Sequence, residues 1–498
     1  MMQHIPVFSV LIPLLAAPIC LLLGRQKLCW VFSTLVSWVA LYNAVLILDQ
    51  VLASGAVRYF IGGWEPPWGI EIRIDTASAL VLLIVTAISS IVMPYAGESI
   101  AKEVKPHLQP LYYTAHLLCL AGLCGILVTG DAFNLFVFLE ISSLSTYTMV
   151  SLSSDRRCLT AAYQYLVMGT IGATFILIGV GLLYMKTGTL NMLDLANLIA
   201  EHGFSRTIKT GLAFILVGVS LKLALFPLHL WMPGAYTHAP SAVSAFLAAT
   251  ATKVAVYVMM RFIFTIFGKD YVFDEMGMDN ILMVLAVVAI FNGSIMAIFQ
   301  HNAKTLLAYS SVAQIGYIVL GISFASAMGL TSSLLHVFNH ALMKASLFMA
   351  LGAIFYRIGS VKIDDFRGLG KQMPWTMAAF SLGGLSLIGV PLTAGFVSKW
   401  YLVSASLQQG NWIVAALILG GSLLALVYVG RVIEVAYFKP ADSDKVEVKE
   451  APVGFLIPMW VVTLANLYFG IDTRLPVISA TSAAELLFQG ASHIGVMP

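Results

Sequence analysis

Charged residues are scarce in this chain of 498 residues. Asp, Glu, Lys and Arg make up 10% of it, and hydrophobic residues make up 59%. This balance, with a mean hydropathy of +0.91, excludes a soluble globular protein. The net charge of +3 is dispersed without a basic run, so no nucleic-acid partner is expected. No polar linker is long enough to separate two independent domains.

Cofactor-binding motifs are also missing. The five cysteines form no CxxC pair, and Cys119 and Cys124 lie inside an apolar segment, which argues against iron–sulfur or zinc ligation. The chain has no Walker loop and no GxGxxG in a strand–helix context. We therefore expect no cofactor and no metal site. The energy that drives the protein must come from a partner or from an ion gradient.

Long apolar segments dominate instead. A membrane span needs about 20 apolar residues, and by that measure the sequence predicts an all-α polytopic membrane protein with about 14 transmembrane helices. The first segment lacks a basic n-region and a cleavage site, which favours a retained helix over a signal peptide. The predicted spans are 5–24, 28–50, 74–96, 110–129, 132–152, 160–186, 209–236, 240–267, 280–300, 304–325, 328–357, 374–408, 411–438 and 452–471.

The loops differ in positive charge. Loops after odd-numbered spans hold 14 Lys and Arg residues, whereas loops after even-numbered spans, with the C-terminal segment, hold 7. The positive-inside rule then places the odd loops in the cytoplasm. We expect a multi-pass protein of the cell (inner) membrane with both termini on the outer side.

Two predicted spans are interrupted by proline, the seventh at Pro227 and the twelfth at Pro391. A helical proline frees a carbonyl of the preceding turn, here those of Leu223 and Leu387. Paired broken helices are typical of transporters built from inverted repeats. We therefore predict two inverted five-helix repeats. The predicted division is helices 1–3 in residues 1–109, the first repeat in 110–267, the second repeat in 268–438, and a cytoplasmic loop, helix 14 and a C-terminal tail in 439–498.

Five ionisable residues fall near the middle of apolar spans. A charge at the bilayer centre costs roughly 2.5–3.5 kcal/mol even on the most lenient scale, so such residues are functional hypotheses by default. Each also has a structural interpretation: the Glu as a protonated, hydrogen-bonded group, and a Lys as a side chain that snorkels to the interface. The five are Glu140, Lys222, Lys253, Lys344 and Lys399.

Two of these residues extend into polar stripes on one helical face. Tyr257 and Arg261 follow Lys253 at i+4 and i+8, although Arg261 would equally serve as an interface anchor. His336, His340 and Lys344 have the same spacing. Histidine titrates near neutral pH and suits a proton relay, whereas the HxxxH pair without a nearby acid is weak for zinc; a structural role for each buried His is the alternative.

The shared depth of Glu140, Lys222, Lys253, His340 and Lys399 predicts a row in the membrane plane. One ion site needs two or three such groups, so a row of five favours proton hopping. With one deep carboxylate, the chain is a poor candidate for a sodium site. Lys304, at the cytoplasmic end of span 10, is a candidate for proton uptake or a positive-inside anchor.

At these residues the chain resembles the antiporter-like subunit family shared by Mrp-type cation/proton antiporters, membrane-bound hydrogenases and respiratory complex I. In length and helix count it is most similar to the Mrp D subunits. The resemblance covers nearly the whole chain and rests on FNLFVFLE with Glu140, KLALFPLHLWMPGAYTHAPSAVSAFLAATATK with Lys222 and Lys253, AKTLLAYSSVAQIGY, SLLHVFNHALMKASLF with His336 and His340, and GVPLTAGFVSKW with Lys399.

The resemblance implies five-helix inverted repeats, broken helices 7 and 12, and a Glu–Lys pair that gates a lateral proton path. It implies a proton-translocating subunit of a multisubunit Na⁺/H⁺ antiporter in a lipid bilayer, with other Mrp-like subunits as partners. Protons would pass through this chain, and Na⁺ through this chain or through a neighbour. The alternative is a pumping subunit of a redox complex, in which the chain would be a translocase subunit without catalysis of its own. A structural scaffold is a third interpretation.

Overall fold

The computed structural model describes residues 4–441 and 448–490, so part of the predicted loop after helix 13 and the last eight residues lie outside the described ranges. Within them the chain is almost entirely helical. The helices are α1 Ile5–Leu23, α2 Gln26–Ser54, α3 Thr76–Glu103, α4 Gln109–Val128, α5 Ala132–Ser151, α6 Arg157–Thr187, α7 Met192–His202, α8 Arg206–Leu223, α9 Trp231–His238, α10 Ser241–Ala249, α11 Ala251–Met260, α12 Met278–Ile298, α13 Ala303–Ser323, α14 Ala327–Ile358, α15 Leu369–Gln372, α16 Pro374–Ile388, α17 Ala394–Gln408, α18 Trp412–Phe438, α19 Val453–Ile471 and α20 Arg474–Gln489. Short 3₁₀ turns cover Ile61–Gly63, Pro106–Leu108 and Ile363–Phe366, and π-helical turns cover Arg261–Ile266 and Asp270–Glu275.

Twelve helical segments of the described ranges are long and apolar enough to cross a membrane. They coincide with twelve of the fourteen predicted spans. The other two predicted spans are the ones interrupted by proline, which the structure divides into α8–α9 and α16–α17. The chain is a multi-pass membrane protein, as the sequence predicts; the count of fourteen stays a prediction.

A small hairpin marks one end of the helix bundle. Strands β1 (Val57–Phe60) and β2 (Glu71–Ile74) pair antiparallel between α2 and α3. A bridge from Ile72 to Thr129 ties the hairpin to the α4–α5 connection. We call this end of the bundle the hairpin face. The end that carries the α3–α4 and α5–α6 connections, bridged by Val104 and Ser153, is the opposite face.

Helix α14 lies at the centre of the bundle. Its 32 residues are almost all buried, including every position from Gly329 to Ala341. It packs against α3, α10, α13, α16, α17, α19 and α20. Polar side chains on α14 therefore face protein from all sides rather than lipid, which removes the main cost of placing them at membrane depth.

Glycine lets α6 and α8 approach closely. A Cβ on Gly218 would lie 2.5 Å from the carbonyl oxygen of Gly172, and one on Gly179 would lie 2.6 Å from that of Gly211. Small residues at such crossings let two membrane helices pack backbone to backbone. This contact fixes the position of α8, which carries Lys222 in its last turn.

Both predicted proline breaks are present. Helix α8 ends at Leu223, residues 224–230 are non-helical, and α9 begins at Trp231. Helix α16 ends at Ile388, residues 389–393 are non-helical, and α17 begins at Ala394.

A third break was not predicted. The eighth predicted span, 240–267, is divided at Thr250, which has φ −124° and ψ −61° between α10 and α11. The Thr250 hydroxyl donates to the carbonyl of Phe246 at 2.7 Å. This back-bonding to the i−4 carbonyl is known to bend helices, and it accounts for a break in a span without proline.

The C-terminal segment also contains more order than the sequence indicated. Helix α20 packs a face of small residues, including Ser479, Ala480, Ala483 and Ala484, against α3 and α14. Because these residues are apolar or small and not strongly periodic in hydrophobicity, the segment carries little signal for a helix when read without its neighbours.

Candidate functional site

The first pair of the predicted row forms an ion pair. Lys222 Nζ lies 3.6 Å from Glu140 Oε1, between the last turn of α8 and the middle of α5. The ammonium also donates to Ser143 Oγ at 2.8 Å and to Tyr147 Oη at 3.4 Å. Hydroxyl acceptors and the carboxylate together compensate a cation that is 8% exposed.

A small cavity continues from Lys222 towards α11. Its volume is about 40 Å³, enough for one or two water molecules. Ser142, Thr146 and Tyr165 supply polar groups on one side, and residues of α11, among them Val254, line the other. The space thus extends the polar environment of Lys222 to the helix that carries Lys253.

Lys253 is fully buried and folds back onto the third helix break. Its Nζ donates to the carbonyl oxygen of Ala248 at 2.5 Å, in the last turn of α10, and approaches Thr252 Oγ1 at 3.5 Å. It lies close enough to His336, His340 and Lys344 on α14 to interact electrostatically with them. Lys253 therefore connects the first half of the row to the second.

The two histidines of α14 are stacked one turn apart. Their ring centroids lie 5.9 Å apart with an interplanar angle of 14°. His336 Nε2 lies 2.9 Å from Gln314 Oε1, and Nδ1 lies 2.8 Å from Ser398 Oγ. Since the amide oxygen accepts only, Nε2 carries the proton when the amide has this orientation.

His340 differs from His336 in its contacts. Neither of its ring nitrogens has a hydrogen-bond partner within residues 4–441 and 448–490, although the side chain is fully buried. Charges on Lys253, Lys344 and Lys399 all act on it. Within the described residues, His340 is therefore held by packing alone, whereas His336 and Lys344 of the same helix are held by hydrogen bonds.

Lys344 binds groups on α13 rather than another ionisable residue of the row. It donates to the carbonyl of Leu307 at 2.8 Å and makes a short hydrogen bond to Ser310 Oγ. The side chain is fully buried. The structure thus places it on the same helix face as the histidines, bound to a neighbouring helix.

Lys399 ends the row at the second proline break. Its Nζ donates to the carbonyls of Leu387 at 3.0 Å and Ile388 at 2.9 Å, and to Ser422 Oγ at 3.0 Å. It also lies 4.8 Å from the ring centroid of Tyr317. The prediction that Pro391 frees the carbonyl of Leu387 is confirmed by this contact; at the first break the recorded side-chain bond goes to Leu221, from the indole of Trp231.

Three lysines of the row share one arrangement. Lys222 lies in the last turn of α8, Lys253 binds the last turn of α10, and Lys399 binds the last turn of α16. The C-terminal end of a helix carries a partial negative charge and unpaired carbonyls, which favour a cation. The breaks after α10 and α16 therefore supply the acceptors for Lys253 and Lys399, whereas the acceptors of Lys222 lie on α5.

Lys304 lies apart from the row, beside a cavity of about 400 Å³ at the opposite face. Its Nζ donates to the carbonyl of Ala239 at 3.3 Å, and Glu103 is close enough to interact with its charge. Asp155 and His238, whose side chains are 3.3 Å apart, also line this cavity. Hydrogen bonds from Arg157 hold the pKa of Asp155, which lies in the α5–α6 loop, below its usual range.

Several contact residues were missed by the sequence analysis. They are neutral polar side chains that touch the ionisable groups, and single hydroxyls or amides in apolar spans give no signal of their own. They are Ser143, Tyr147, Gln314, Ser398 and Ser422. Among the described residues, no three His, Cys, Asp or Glu side chains come together as metal ligands would.

Comparisons with known proteins identify the family of this chain. The profile of the family described as "NADH:quinone oxidoreductase/Mrp antiporter, TM" matches residues 129–425, more than half of the chain. The chain belongs to this family. The matched region contains every residue of the row from Glu140 to Lys399.

Relatives from a quinone oxidoreductase and from an antiporter both match nearly the whole chain. The N subunit of the NADH-quinone oxidoreductase of Desulforudis audaxviator is 40% identical over 95% of this chain and 96% of its own length. The D subunit of the Na(+)/H(+) antiporter of Bacillus subtilis is 28% identical over 99% of both chains.

Solved structures show the same fold. A chain of the archaeal membrane-bound sulfane sulfur reductase superposes with a TM-score of 0.90 at 30% identity, covering 98% of this chain and 99% of that one. A chain of the Mrp complex from Dietzia sp. DQ12-45-1b superposes with a TM-score of 0.88 at 26% identity, covering 98% and 97%. Both are subunits of multisubunit membrane complexes.

Proposed function

We propose that this chain is a proton-translocating subunit of a multisubunit membrane complex, and that protons move along the row Glu140, Lys222, Lys253, His336, His340 and Lys399. The observation that carries the proposal is the Lys222–Glu140 ion pair, 3.6 Å long, at mid-span beside a helix break. A buried lysine keeps its proton while a carboxylate is near and releases it readily when the carboxylate moves away. The pair is therefore a switch between a proton-holding and a proton-releasing state.

His340 supports hopping between the lysines. A buried imidazole with two unfilled hydrogen-bonding positions is costly unless water reaches it. Water beside His340 would connect Lys253 with Lys399, which both interact electrostatically with it. Lys344 is a side branch of this path, because its proton is held by Leu307 and Ser310 of α13.

The exposure of Glu140 supports the presence of a partner subunit beside α5. Its side chain is 24% exposed although it lies at mid-span. A carboxylate facing lipid at this depth is unfavourable, so we infer that another subunit covers it. The row would then continue into the neighbour, in a complex of the cell membrane with both termini on the outer side.

Proton uptake would occur at the cavity beside Lys304, on the face predicted to be cytoplasmic. The polar lining and the size of this cavity, about 400 Å³, support access of water to Lys304 and Glu103. The two proline breaks support the proposed inverted repeats, 110–267 and 268–438, because a lysine of the row lies beside each break: Lys222 in the last turn before the first, and Lys399 bound to the helix end at the second.

Two complexes can use such a subunit. In the first, an Mrp-type antiporter, a sodium gradient drives or is driven by the proton row; the end-to-end match to D subunits supports this function. In the second, electron transfer in partner subunits drives the row; the 40% identity to a quinone oxidoreductase subunit supports this one. The chemistry of the row is the same in both.

The experiment for the row is Lys222→Met in the assembled complex, reconstituted in vesicles with a pH-sensitive dye inside. We expect proton transport to fall at least about tenfold, since a lost interaction of about 1.4 kcal/mol already gives that factor. Lys186→Met is the matched control, since Lys186 is an exposed lysine at the end of α6. Normal transport by an assembled Lys222→Met complex would refute the proposal.

The experiment for the complex is identification of the subunits that co-purify with the tagged chain in mild detergent. Small membrane subunits with a larger homologue, and no iron–sulfur or nickel protein, indicate a gradient-driven antiporter. Cofactor-bearing partners indicate a redox-driven pump.

A further inference from the structure

A second buried charge cluster lies on the helix of Lys253, two turns nearer the hairpin face. Arg261 is 7% exposed and begins a π-helical turn at the end of α11. It forms a short ion pair with Asp75, the residue that caps α3. Because Arg261 follows Lys253 by eight residues, it lies about 12 Å further along the same helical face.

Four hydrogen bonds hold this guanidinium, and together they use all three of its nitrogens. Nε donates to Tyr257 Oη at 2.9 Å, Nη1 to Thr265 Oγ1 at 3.3 Å, and Nη2 to Ser78 Oγ at 2.9 Å as well as to Asp75. The cation is thus held rigidly by four side chains from two helices.

Tyr257, which lies between Lys253 and Arg261, is equally committed. Its hydroxyl donates its one proton to the carbonyl of Leu127 at 3.1 Å and lies 2.8 Å from Ser78 Oγ. With Arg261 donating to it, its acceptor positions are used as well. In this arrangement the proton of Tyr257 points to a backbone carbonyl and away from Lys253, so the hydroxyl is a poor relay.

Few groups separate Arg261 from water at the hairpin face. A cavity of about 20 Å³, the size of one water molecule, is lined by Tyr257, Arg261, Thr265 and Glu71. Glu71 accepts from Arg58 Nε at 2.6 Å, and Arg58 is 50% exposed at the hairpin. Polar groups therefore lead from the surface of the hairpin face to Arg261 and, through its bond to Tyr257, towards Lys253.

We infer that Arg261, fixed by Asp75, is an electrostatic barrier that keeps protons of the row from leaving at Lys253 through the hairpin face. An arginine side chain stays charged in proteins, so it takes up no proton, and it has no acceptor atom through which a proton could pass. Channels use fixed arginines to exclude protons in the same way. The inference rests on the proposed function, because a barrier is needed only where protons reach Lys253.

The alternative is that the Asp75–Arg261 pair only anchors α11 to α3. The two roles differ in a measurable way. An anchor that is lost lowers stability, whereas a barrier that is lost opens a passive proton flux that begins at Lys253.

The test uses the assembled complex in vesicles that carry a trapped pH-sensitive dye. Sodium is equal on both sides, no electron donor is present, and a potassium diffusion potential provides the driving force. The main variant is Asp75→Asn/Arg261→Gln, which removes both charges together and leaves no unpaired buried ion. Arg261→Lys keeps the charge, and Arg431→Gln is a control arginine that binds the carbonyls of Ile298 and Gln300 instead.

We expect the double variant to raise passive proton flux about tenfold, the change that a barrier lowered by about 1.4 kcal/mol gives. Arg261→Lys and Arg431→Gln should keep the flux of the wild type, and adding Lys253→Met to the double variant should abolish the leak. An assembled double variant without a leak, or a leak that persists with Lys253→Met, overturns the inference. If the wild type and Lys222→Met transport protons equally, the proposed function fails instead. That outcome is distinct from a failure of the barrier inference.

Discussion

Lys399 donates a 3.0 Å hydrogen bond to the carbonyl of Leu387, the group that Pro391 leaves without a helical N–H partner. The break in the twelfth predicted span thus creates the binding site for the lysine that follows it. The adjacent carbonyl of Ile388 accepts from the same ammonium at 2.9 Å. An apolar chain can hold a cation at membrane depth in this way without a nearby carboxylate.

Replacing Lys399 tests this arrangement. Lys399→Met leaves both carbonyls without a donor, and we expect proton transport to fall about tenfold or more and unfolding free energy to fall by about 1–3 kcal/mol. Ser422→Ala removes one 3.0 Å contact of the same ammonium but keeps both carbonyl contacts, so its effect should be much smaller. Vesicle transport and thermal unfolding in detergent measure the two quantities. Equal effects of the two substitutions would show that the hydroxyl, not the helix end, holds the lysine.

The Glu140–Lys222 pair allows structure and transport to be separated. Lys222→Met leaves the carboxylate of Glu140 without its cation. Because that carboxylate is 24% exposed, we expect a loss of about 1–3 kcal/mol, below the roughly 3–5 kcal/mol of fully buried pairs. The double variant Glu140→Gln/Lys222→Met should regain most of this stability, since it leaves no unpaired ion.

Transport by the same double variant distinguishes the proposed function from a scaffold. A proton path needs the ionisable groups, so the stable double variant should remain inactive. A scaffold would transport normally once its stability is restored. The comparison requires only that both variants assemble, which co-purification of the partner subunits verifies.

The contacts of Glu450 with the start of α16 lead to a prediction about stability far from the row. Its carboxylate accepts from the backbone N–H of Trp375 at 2.8 Å and from the hydroxyl of Thr376 at 2.6 Å, and so caps the start of α16. Glu450→Ala should lower the free energy of unfolding by about 1 kcal/mol, as the loss of a helix cap does, with transport nearly unchanged. Glu434→Ala is the matched control, because Glu434 is 61% exposed and 3.9 Å from Lys439. An effect no larger than that of the control would contradict the capping role.

The features that the sequence predicted are those with a strong local signal. Twenty-residue apolar runs indicate membrane spans. A proline or an isolated charge inside such a run is costly in the membrane unless the fold makes use of it. The spans, both proline breaks and the Glu140–Lys222 contact follow from that cost.

The features that were missed depend on neighbours in space. The break at Thr250 is made by a hydroxyl that bonds its own helix. Threonine is so common in membrane spans that it does not indicate a helix break. Gln314 and Ser398 contact His336 from two other helices, and the pairing of Asp75 with Arg261 spans 186 positions of sequence. Hydrophobic periodicity contains no information about such contacts.

Asp155 gives a pH-dependent prediction at the opposite face. Hydrogen bonds from Arg157 lower the pKa of this carboxyl in the folded protein, with His238 as a further partner. A group with a depressed folded pKa binds protons more readily in the unfolded chain. Its contribution to stability is therefore present above the unfolded pKa of about 4 and is lost as pH falls through the lower folded value.

The measurement is the difference in thermal unfolding between the wild type and Asp155→Asn as a function of pH. The contribution is small, because the pair is near the surface and screened by salt. We expect the difference to persist down to about pH 5, to decline below the ordinary pKa of Asp near about 4, and to be smaller throughout in high salt. Arg157→Gln removes the main cause of the shift, so in that background Asp155→Asn should have little effect at any pH. A difference that grows as pH falls below about 5 would mean that the folded protein binds the proton of Asp155 more tightly than the unfolded chain, and that this carboxyl is held protonated at the cavity of Lys304 rather than charged.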